Sequence, residues 1–130
     1  MKAEPTWLNR DDCLAIHDLM LADYGGASGV RDENMLESAL AKPRQLFAYS
    51  KPNLSDMAAA YAVGIVKNHP FVDGNKRTGF MTASAFLEIN GLAFTATEAD
   101  AVIQTLALAA GALDEAGYAA WLKKNSRSVR

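Results

Sequence analysis

The chain has 130 residues, of which 50% are hydrophobic and 22% are charged, and its formal net charge is −2 at pH 7. This length fits one compact globular domain over residues 1–130 and leaves no room for a second. The slightly acidic balance argues against a protein whose main task is direct nucleic-acid binding through phosphate contacts. The alanine-rich apolar runs are too short or too polar to cross a membrane.

Two further features of the sequence concern the compartment. Residues 1–9 carry no apolar segment followed by a small-residue cleavage site, so we expect no secretion signal and a cytoplasmic location. Cys13 is the only cysteine, which rules out an internal disulfide. Its apolar neighbours predict a small core residue and not a reactive thiol.

Nearly all of the predicted elements are helices, because apolar residues recur at spacings of three and four along most of the chain. The first helix is predicted for residues 9–23, with Asn9 as its N-cap and acidic residues in its first turn. Gly25 and Gly26 are expected to end it.

The second helix is predicted for residues 33–41, with Asp32 as its N-cap. Pro43 is expected to stop this helix, since proline lacks an amide N–H and disfavours a helical residue before it. Residues 44–53 follow as an aromatic-containing but polar segment, which predicts a loop or a small β-hairpin.

Four more helices are predicted, and residues 92–95 are expected to be extended. The predicted ranges are residues 56–67 after the cap Ser55, about 75–90 after Gly74, 98–110 after Thr97, and 115–124 after Asp114. The predicted fold class is therefore all-α. The expected fold is a compact bundle of about six helices, with a small β-hairpin flap as the one further element that the sequence allows.

The segment between the third and fourth helices, residues 69–77, reads HPFVDGNKR and concentrates the residues that can carry chemistry. Gly74 permits a positive φ, and the backbone N–H groups of Asn75, Lys76 and Arg77 have no partner within the new helix. The helix dipole and two cationic side chains add positive charge at the same place. This combination predicts a binding site for a triphosphate.

Two side chains of the same segment suit the transfer of a group from such a ligand. Asp73 offers one carboxylate beside the predicted phosphate site, which suits Mg²⁺ because this ion takes one or two protein oxygens and completes its shell with phosphates and water. His69 is the residue of the segment that titrates near neutral pH, so it can accept the proton of an incoming hydroxyl group.

Other phosphate motifs do not fit. Lys76 is not preceded by the glycine that a P-loop requires. The pair His17-Asp18 is similar to the adjacent ligands of metal phosphohydrolases, but the chain has only 2 histidines, too few for such a site. We therefore expect His17 to pack or cap inside the bundle.

The string HPFVDGNKR resembles the signature of the Fic superfamily, and in particular of its Doc (death on curing) branch. The resemblance extends over roughly residues 16–94, through YGG at 24–26, GVRD at 29–32 and LESAL at 36–40. It implies an all-helical Fic fold in which His69 is the catalytic base, Asp73 the magnesium ligand, and the backbone from Gly74 to Arg77 the phosphate cradle.

The resemblance also implies an activity and partners. Doc-type members act as kinases that move the terminal phosphate of ATP or another nucleoside triphosphate to a protein hydroxyl, and the family's attested target is a threonine of elongation factor Tu. The chain would then be the toxin of a toxin–antitoxin pair that blocks translation and is controlled in trans by an antitoxin protein. Residues 44–51 resemble the family's substrate flap, with Phe47 and Tyr49 as weak candidates.

Lys76 and Phe80 mark where the chain departs from the adenylyltransferases that it resembles. Those proteins typically carry Gly-Asn-Gly-Arg and a second arginine three residues on, whereas here Lys76 replaces the second glycine and Phe80 stands in place of the second arginine. The departure favours transfer of a phosphate. A Fic-type nucleotidyl transferase and a non-catalytic protein that binds an antitoxin or DNA stay open as alternatives.

Overall fold

A computed structural model describes residues 3–129, so the prediction for residues 1–9 lies partly outside the described part. Within residues 3–129 the chain forms six helices and a two-stranded sheet, which confirms the all-α fold class. The elements are α1 Arg10–Tyr24, α2 Glu33–Tyr49, α3 Leu54–Asn68, α4 Asn75–Ile89, β1 Leu92–Phe94, α5 Glu98–Ala110, α6 Glu115–Lys124 and β2 Ser126–Ser128. No helix in this range is long and apolar enough to cross a membrane.

Side-chain caps determine where most of these helices begin. Four predicted caps are confirmed, because each accepts a hydrogen bond from the backbone N–H three residues further on: Asn9, Asp32, Thr97 and Asp114. The prediction for α3 was wrong in detail. Asn53 accepts from the N–H of Asp56 in a capping box, so α3 begins at Leu54 and Ser55 lies inside the helix.

The second helix is longer than predicted, because it continues through Pro43 to Tyr49. Proline removes one helical hydrogen bond, but the apolar face of α2 continues beyond it, and Leu46 and Phe47 pack against the core. Tertiary burial thus outweighs the local preference for a stop. The predicted loop or β-hairpin over residues 44–53 was therefore wrong, since only residues 50–53 lie outside the helices.

This correction also changes the two aromatic side chains of the predicted flap. Phe47 lies with its ring centroid 5.8 Å from that of Trp7, in an edge-to-face contact on the core. Tyr49 ends α2 and is 88% exposed. Neither residue lies in a hairpin.

Helix α3 is the centre of the bundle, and two glycines allow its neighbours to approach closely. A methyl group built on Gly64 of α3 would lie 2.9 Å from the Cα of Ala39 in α2. One built on Gly79 of α4 would lie 2.8 Å from a methyl of Val66 in α3. Because these positions have no Cβ, α2 and α4 pack directly against the α3 backbone.

The small sheet joins the end of α4 to the end of the described chain. Strands β1 and β2 are antiparallel, with Ala93 opposite Arg127. The extended segment after α4 was predicted, whereas β2 was not, because the residues Ser-Arg-Ser carry no alternating apolar pattern. An aromatic cluster packs beside the sheet, in which Phe94 lies 5.3 Å from Trp121 and 5.5 Å from Phe80 between ring centroids.

The thiol of Cys13 is fully buried in α1, as predicted for a core residue. Burial raises its pKa to about 11, because the thiolate would have to be desolvated. At neutral pH the group stays a neutral thiol, which fits a packing role.

The close approach of α2 and α3 yields a first prediction. Gly64→Ala should lower the free energy of unfolding by about 1–3 kcal/mol, because the added methyl meets the backbone of Ala39, which cannot move aside without shifting α2. Chemical denaturation followed by circular dichroism measures the change.

Gly117→Ala is the matched control, since it makes the same substitution within a helix. A methyl at Gly117 meets the end of the Leu113 side chain, which can rotate away, so helix propensity should leave stability unchanged or raise it by up to about 1 kcal/mol. Equal stabilities for the two variants would contradict the packing argument.

Candidate active site

The residues that the sequence singled out lie in the connection between α3 and α4 and in the first turn of α4. The connection begins at His69. His69 is the C-cap of α3 and adopts the left-handed conformation, with φ 55° and ψ 52°. It is the one non-glycine residue with positive φ in the described part of the chain. Such a conformation is costly for a residue with a Cβ and persists only where neighbouring groups hold it.

Arg31 is one of the groups that hold it. Its Nε donates a hydrogen bond of 2.7 Å to the carbonyl oxygen of His69, and its Nη2 donates one of 3.0 Å to that of Asn68. These are carbonyl groups at the end of α3 that have no partner inside the helix. The guanidinium therefore caps α3 and fixes the backbone at His69.

The backbone before α2 pairs with one edge of the connection. The N–H groups of Arg31 and Asp32 donate to the carbonyl of Pro70 at 2.6 and 3.1 Å, and the N–H of Val72 donates to the carbonyl of Gly29 at 3.0 Å. Val30 and Phe71 thus form an antiparallel bridge. This pairing brings together the segments GVRD and HPFV, which lie far apart in the sequence.

The side chain of Asn75 forms hydrogen bonds with the other edge of the connection. Its Oδ1 accepts a 3.0 Å hydrogen bond from the N–H of Phe71, and its Nδ2 donates one of 3.0 Å to the carbonyl of the same residue. Nδ2 also lies 3.1 Å from Nδ1 of His69. Asn75 is only 3% exposed, and its side chain faces inward.

His17 of α1 packs against the connection between α3 and α4. Its ring stacks on that of Phe71, with centroids 3.9 Å apart and an interplanar angle of 9°. Its Nε2 donates a 2.8 Å hydrogen bond to the carbonyl of Asp73. His17 is 2% exposed, which confirms the prediction that it packs inside the bundle.

Asp73 presents an exposed carboxylate beside the start of α4. Its Oδ1 accepts from the N–H of Gly74 at 2.9 Å, and its Oδ2 accepts from the N–H of Ala27 at 3.3 Å. Among the described residues, no three His, Cys, Asp or Glu side chains lie together as a metal site. One exposed carboxylate is a donor set that suits Mg²⁺, because this ion can take its other ligands from phosphate and water.

Helix α4 begins without a side-chain cap, unlike the other helices that the structure describes. Gly74 precedes it with φ 80°, and the N–H groups of the first turn point out of the helix end. Lys76 and Arg77 are exposed at this end. Free N–H groups, a helix dipole and two cations at one place favour the binding of an anion.

The Arg77 side chain is held in place by an aromatic ring. Its guanidinium carbon lies 4.1 Å from the centroid of the Tyr24 ring, in a cation–π contact. Stacking uses the face of the guanidinium and leaves its N–H edge available for a phosphate. The sequence did not predict this role for Tyr24, because residues 24 and 77 meet only in the folded chain.

An apolar groove of about 480 Å³ lies beside the anion site, between α1, α4 and α5. Lys76 and Arg77 are part of its lining, and its apolar lining includes Met20, Phe80, Met81, Val102 and Leu106. Val102 and Leu106 are each 50% exposed. No local sequence pattern indicates this groove, since residues of three separate helices form it.

Comparisons with known proteins agree with this geometry. The family model described as the Fic/DOC family matches residues 7–87. The chain is 40% identical over 93 residues to the "Toxin Doc" of Mycolicibacterium smegmatis, covering 69% of this chain and 68% of that protein. It is 31% identical over 86 residues to the "Protein kinase doc" of Escherichia phage P1, covering 65% of this chain and 68% of that protein.

The two hydrogen bonds of Arg31 yield a second prediction. Arg31→Lys should increase the amide hydrogen exchange of His69, Phe71 and Val72 by roughly three- to tenfold, because one ammonium group cannot cap two carbonyls in the same planar geometry. Exchange followed by mass spectrometry measures this. Arg10→Lys is the control, since Arg10 pairs with Glu33 at the surface and does not contact the connection. Equal exchange in both variants would show that Arg31 does not hold the backbone.

Proposed function

This chain belongs to the Fic/DOC family, and on that premise we propose that it is a Doc-type toxin with kinase activity. It would transfer the terminal phosphate of ATP or another nucleoside triphosphate to a hydroxyl group of a translation factor and so block translation. The observation that supports this most directly is the uncapped, cationic start of α4, with an exposed histidine and an exposed carboxylate beside it.

The triphosphate would bind at the start of α4. The backbone N–H groups of Asn75, Lys76 and Arg77 would donate to its oxygens, and the two cationic side chains would neutralise part of its charge. Asp73 would hold Mg²⁺ together with phosphate oxygens and water. When bound, Mg²⁺ stabilises the negative charge that develops on the transferred phosphate.

His69 would act as the general base for the acceptor hydroxyl group. A hydroxyl oxygen attacks the terminal phosphorus, the bond from that phosphorus to the bridging oxygen breaks, and the nucleoside diphosphate leaves. The hydroxyl proton goes to the ring of His69, which is exposed at the end of α3. The hydrogen bonds of Arg31 to the carbonyls of Asn68 and His69 would fix the backbone that carries this ring.

Phe80 supports phosphate transfer over nucleotide transfer. Its ring packs against Phe94 and Trp121, with centroid distances of 5.5 and 6.3 Å, so this position offers an apolar wall and no charge to an inner phosphate. Lys76, by contrast, places a cation at the start of α4 where adenylyltransferases that the sequence resembles carry glycine. Charge is thus concentrated at one end of the bound triphosphate.

The proposed acceptor is a serine or threonine hydroxyl, with a threonine of elongation factor Tu as the first candidate. The support is family analogy, since the Doc proteins that the sequence resembles modify that factor. Cytoplasmic action and toxin–antitoxin pairing follow from the same analogy.

The third prediction tests the chemistry. Purified chain with Mg²⁺ should transfer label from γ-labelled ATP to elongation factor Tu and none from α-labelled ATP. His69→Ala should lower the rate about 10²- to 10⁴-fold, because the general base is lost. Asp73→Asn should weaken the Mg²⁺ dependence, while Asp18→Asn, an exposed carboxylate on α1, is the matched control.

The other outcomes point to the alternatives. Label from α-labelled ATP would indicate a nucleotidyl transferase. A chain that stays equally toxic on expression after His69→Ala and Asp73→Ala would be a non-catalytic binding protein.

We further propose that the groove between α1, α4 and α5 binds an amphipathic helix of the antitoxin. Its apolar, half-exposed lining suits a helix with one apolar face. Lys76 and Arg77 line the same groove and suit an acidic residue on that helix, whereas Glu98, which also lines it, suits a basic one. A helix bound there would contact the cations of the phosphate site, which would link antitoxin binding to inhibition.

The fourth prediction tests the groove. Leu106→Asp should weaken binding of the cognate antitoxin, to be sought among small proteins encoded next to this gene, by at least about tenfold, because a charge would be buried against an apolar face. Ile103→Asp is the matched control, since Ile103 lies on the same helix and is 61% exposed but does not line the groove. Co-expression and affinity purification followed by calorimetry measure both, and equal loss in the two variants would contradict the assignment.

A further inference from the structure

We infer that Asn75 is a positioning residue that keeps the neutral His69 ring in the tautomer with its proton on Nε2. The inference concerns the site of the proposed phosphate transfer. Its test does not measure transfer, so a failure of this inference and a failure of the proposed function can be told apart.

The orientation of the Asn75 amide is determined by the backbone of Phe71. The N–H of Phe71 can only donate, so the atom 3.0 Å from it must be Oδ1, and the carbonyl of Phe71 can only accept, so the atom 3.0 Å from it must be Nδ2. A flipped amide would place two donors and two acceptors against each other. The usual ambiguity of an asparagine side chain is therefore resolved here by its partners.

The second hydrogen of Nδ2 then faces His69. Nδ2 uses one hydrogen for the carbonyl of Phe71 and has one left, and Nδ1 of His69 lies 3.1 Å away. Because Nδ2 is only a donor, Nδ1 must be the acceptor and carries no proton. A neutral imidazole has one N–H, so the proton of the resting ring is on Nε2.

This tautomer matters because the two ring nitrogens of His69 have different surroundings. Nδ1 faces the buried amide of Asn75, whereas the described residues offer Nε2 no hydrogen-bond partner and the residue is exposed. In the resting state Nε2 can donate a hydrogen bond, for instance to a phosphate oxygen. It cannot accept the proton of a hydroxyl, because its lone pair is occupied.

Base catalysis at Nε2 therefore requires a change at Asn75. Nε2 must release its proton to water, and Nδ1 must take one from water, so the ring stays neutral and no net charge is created. The new Nδ1–H would face the N–H of Asn75, so that hydrogen bond has to break first. The hydrogen bond from Asn75 thus keeps Nε2 of His69 a hydrogen-bond donor until ligand binding or loop movement breaks that bond.

The fifth prediction measures the tautomer directly. Nitrogen-15 NMR of the imidazole groups at about pH 9, where histidine rings are neutral, distinguishes protonated from unprotonated ring nitrogens. We expect His69 to have its proton on Nε2. The chain has 2 histidines, and His17 is an internal reference, because its Nε2 donates to the carbonyl of Asp73. His69→Gln assigns the signals.

Asn75→Asp should reverse the tautomer. A carboxylate has no hydrogen to donate, so the oxygen that replaces Nδ2 accepts from Nδ1–H and the ring proton moves from Nε2 to Nδ1. The same oxygen loses the hydrogen bond to the Phe71 carbonyl and is repelled by it, so the fold of this variant is checked by circular dichroism. Asn90→Asp is the matched control. Asn90 also pairs its amide with the backbone N–H and carbonyl of one residue, Thr6, at 2.8 and 3.0 Å, but it is not in hydrogen-bond contact with His69.

The result is decisive in either direction. A wild-type His69 with its proton on Nδ1 would overturn the inference, and this measurement needs no variant. If Asn75→Asp is folded by circular dichroism and its tautomer is that of the wild type, the inference is also overturned. Reversal in Asn75→Asp and not in Asn90→Asp would confirm it.

Discussion

The pairing of residues 70–72 along both edges is the constraint on which the rest of the site depends. The backbone from Gly29 to Asp32 satisfies one edge, and the amide of Asn75 satisfies the other. A connection between two helices is normally mobile at the surface. Here its polar backbone groups have protein partners, so the segment can hold His69 in a conformation that would otherwise be unfavourable.

That pairing requires the surrounding helices to be close together. Gly64 and Gly79 let α2 and α4 approach α3, and the end of α3 and the start of α4 form the ends of the connection. His17 of α1 then reaches the carbonyl of Asp73 and stacks on Phe71. The packing around α3 therefore helps to position the site. A substitution that disturbs this packing would also displace the residues of the site.

The side chains of the site divide into two groups by exposure. Asn75, Phe71 and His17 are buried and bind backbone or pack, while His69, Asp73, Lys76 and Arg77 are exposed. The buried group provides geometry, and the exposed group contains the side chains to which we assign charge and proton transfer in the proposed reaction. This division resolves the ambiguity of the sequence motif, in which both kinds of residue stand side by side.

The sequence by itself determined the all-α class, four of the helix caps, and the segment in which the proposed site lies, because capping and the start of α4 depend on residues within a few positions of each other. Only the tertiary structure decided the continuation of α2 through Pro43, the left-handed backbone of His69 with its contact to Asn75, and the groove between α1, α4 and α5. Those features depend on burial and on hydrogen bonds between distant segments, such as Arg31 to His69. A local pattern carries no information about such contacts until the chain is folded.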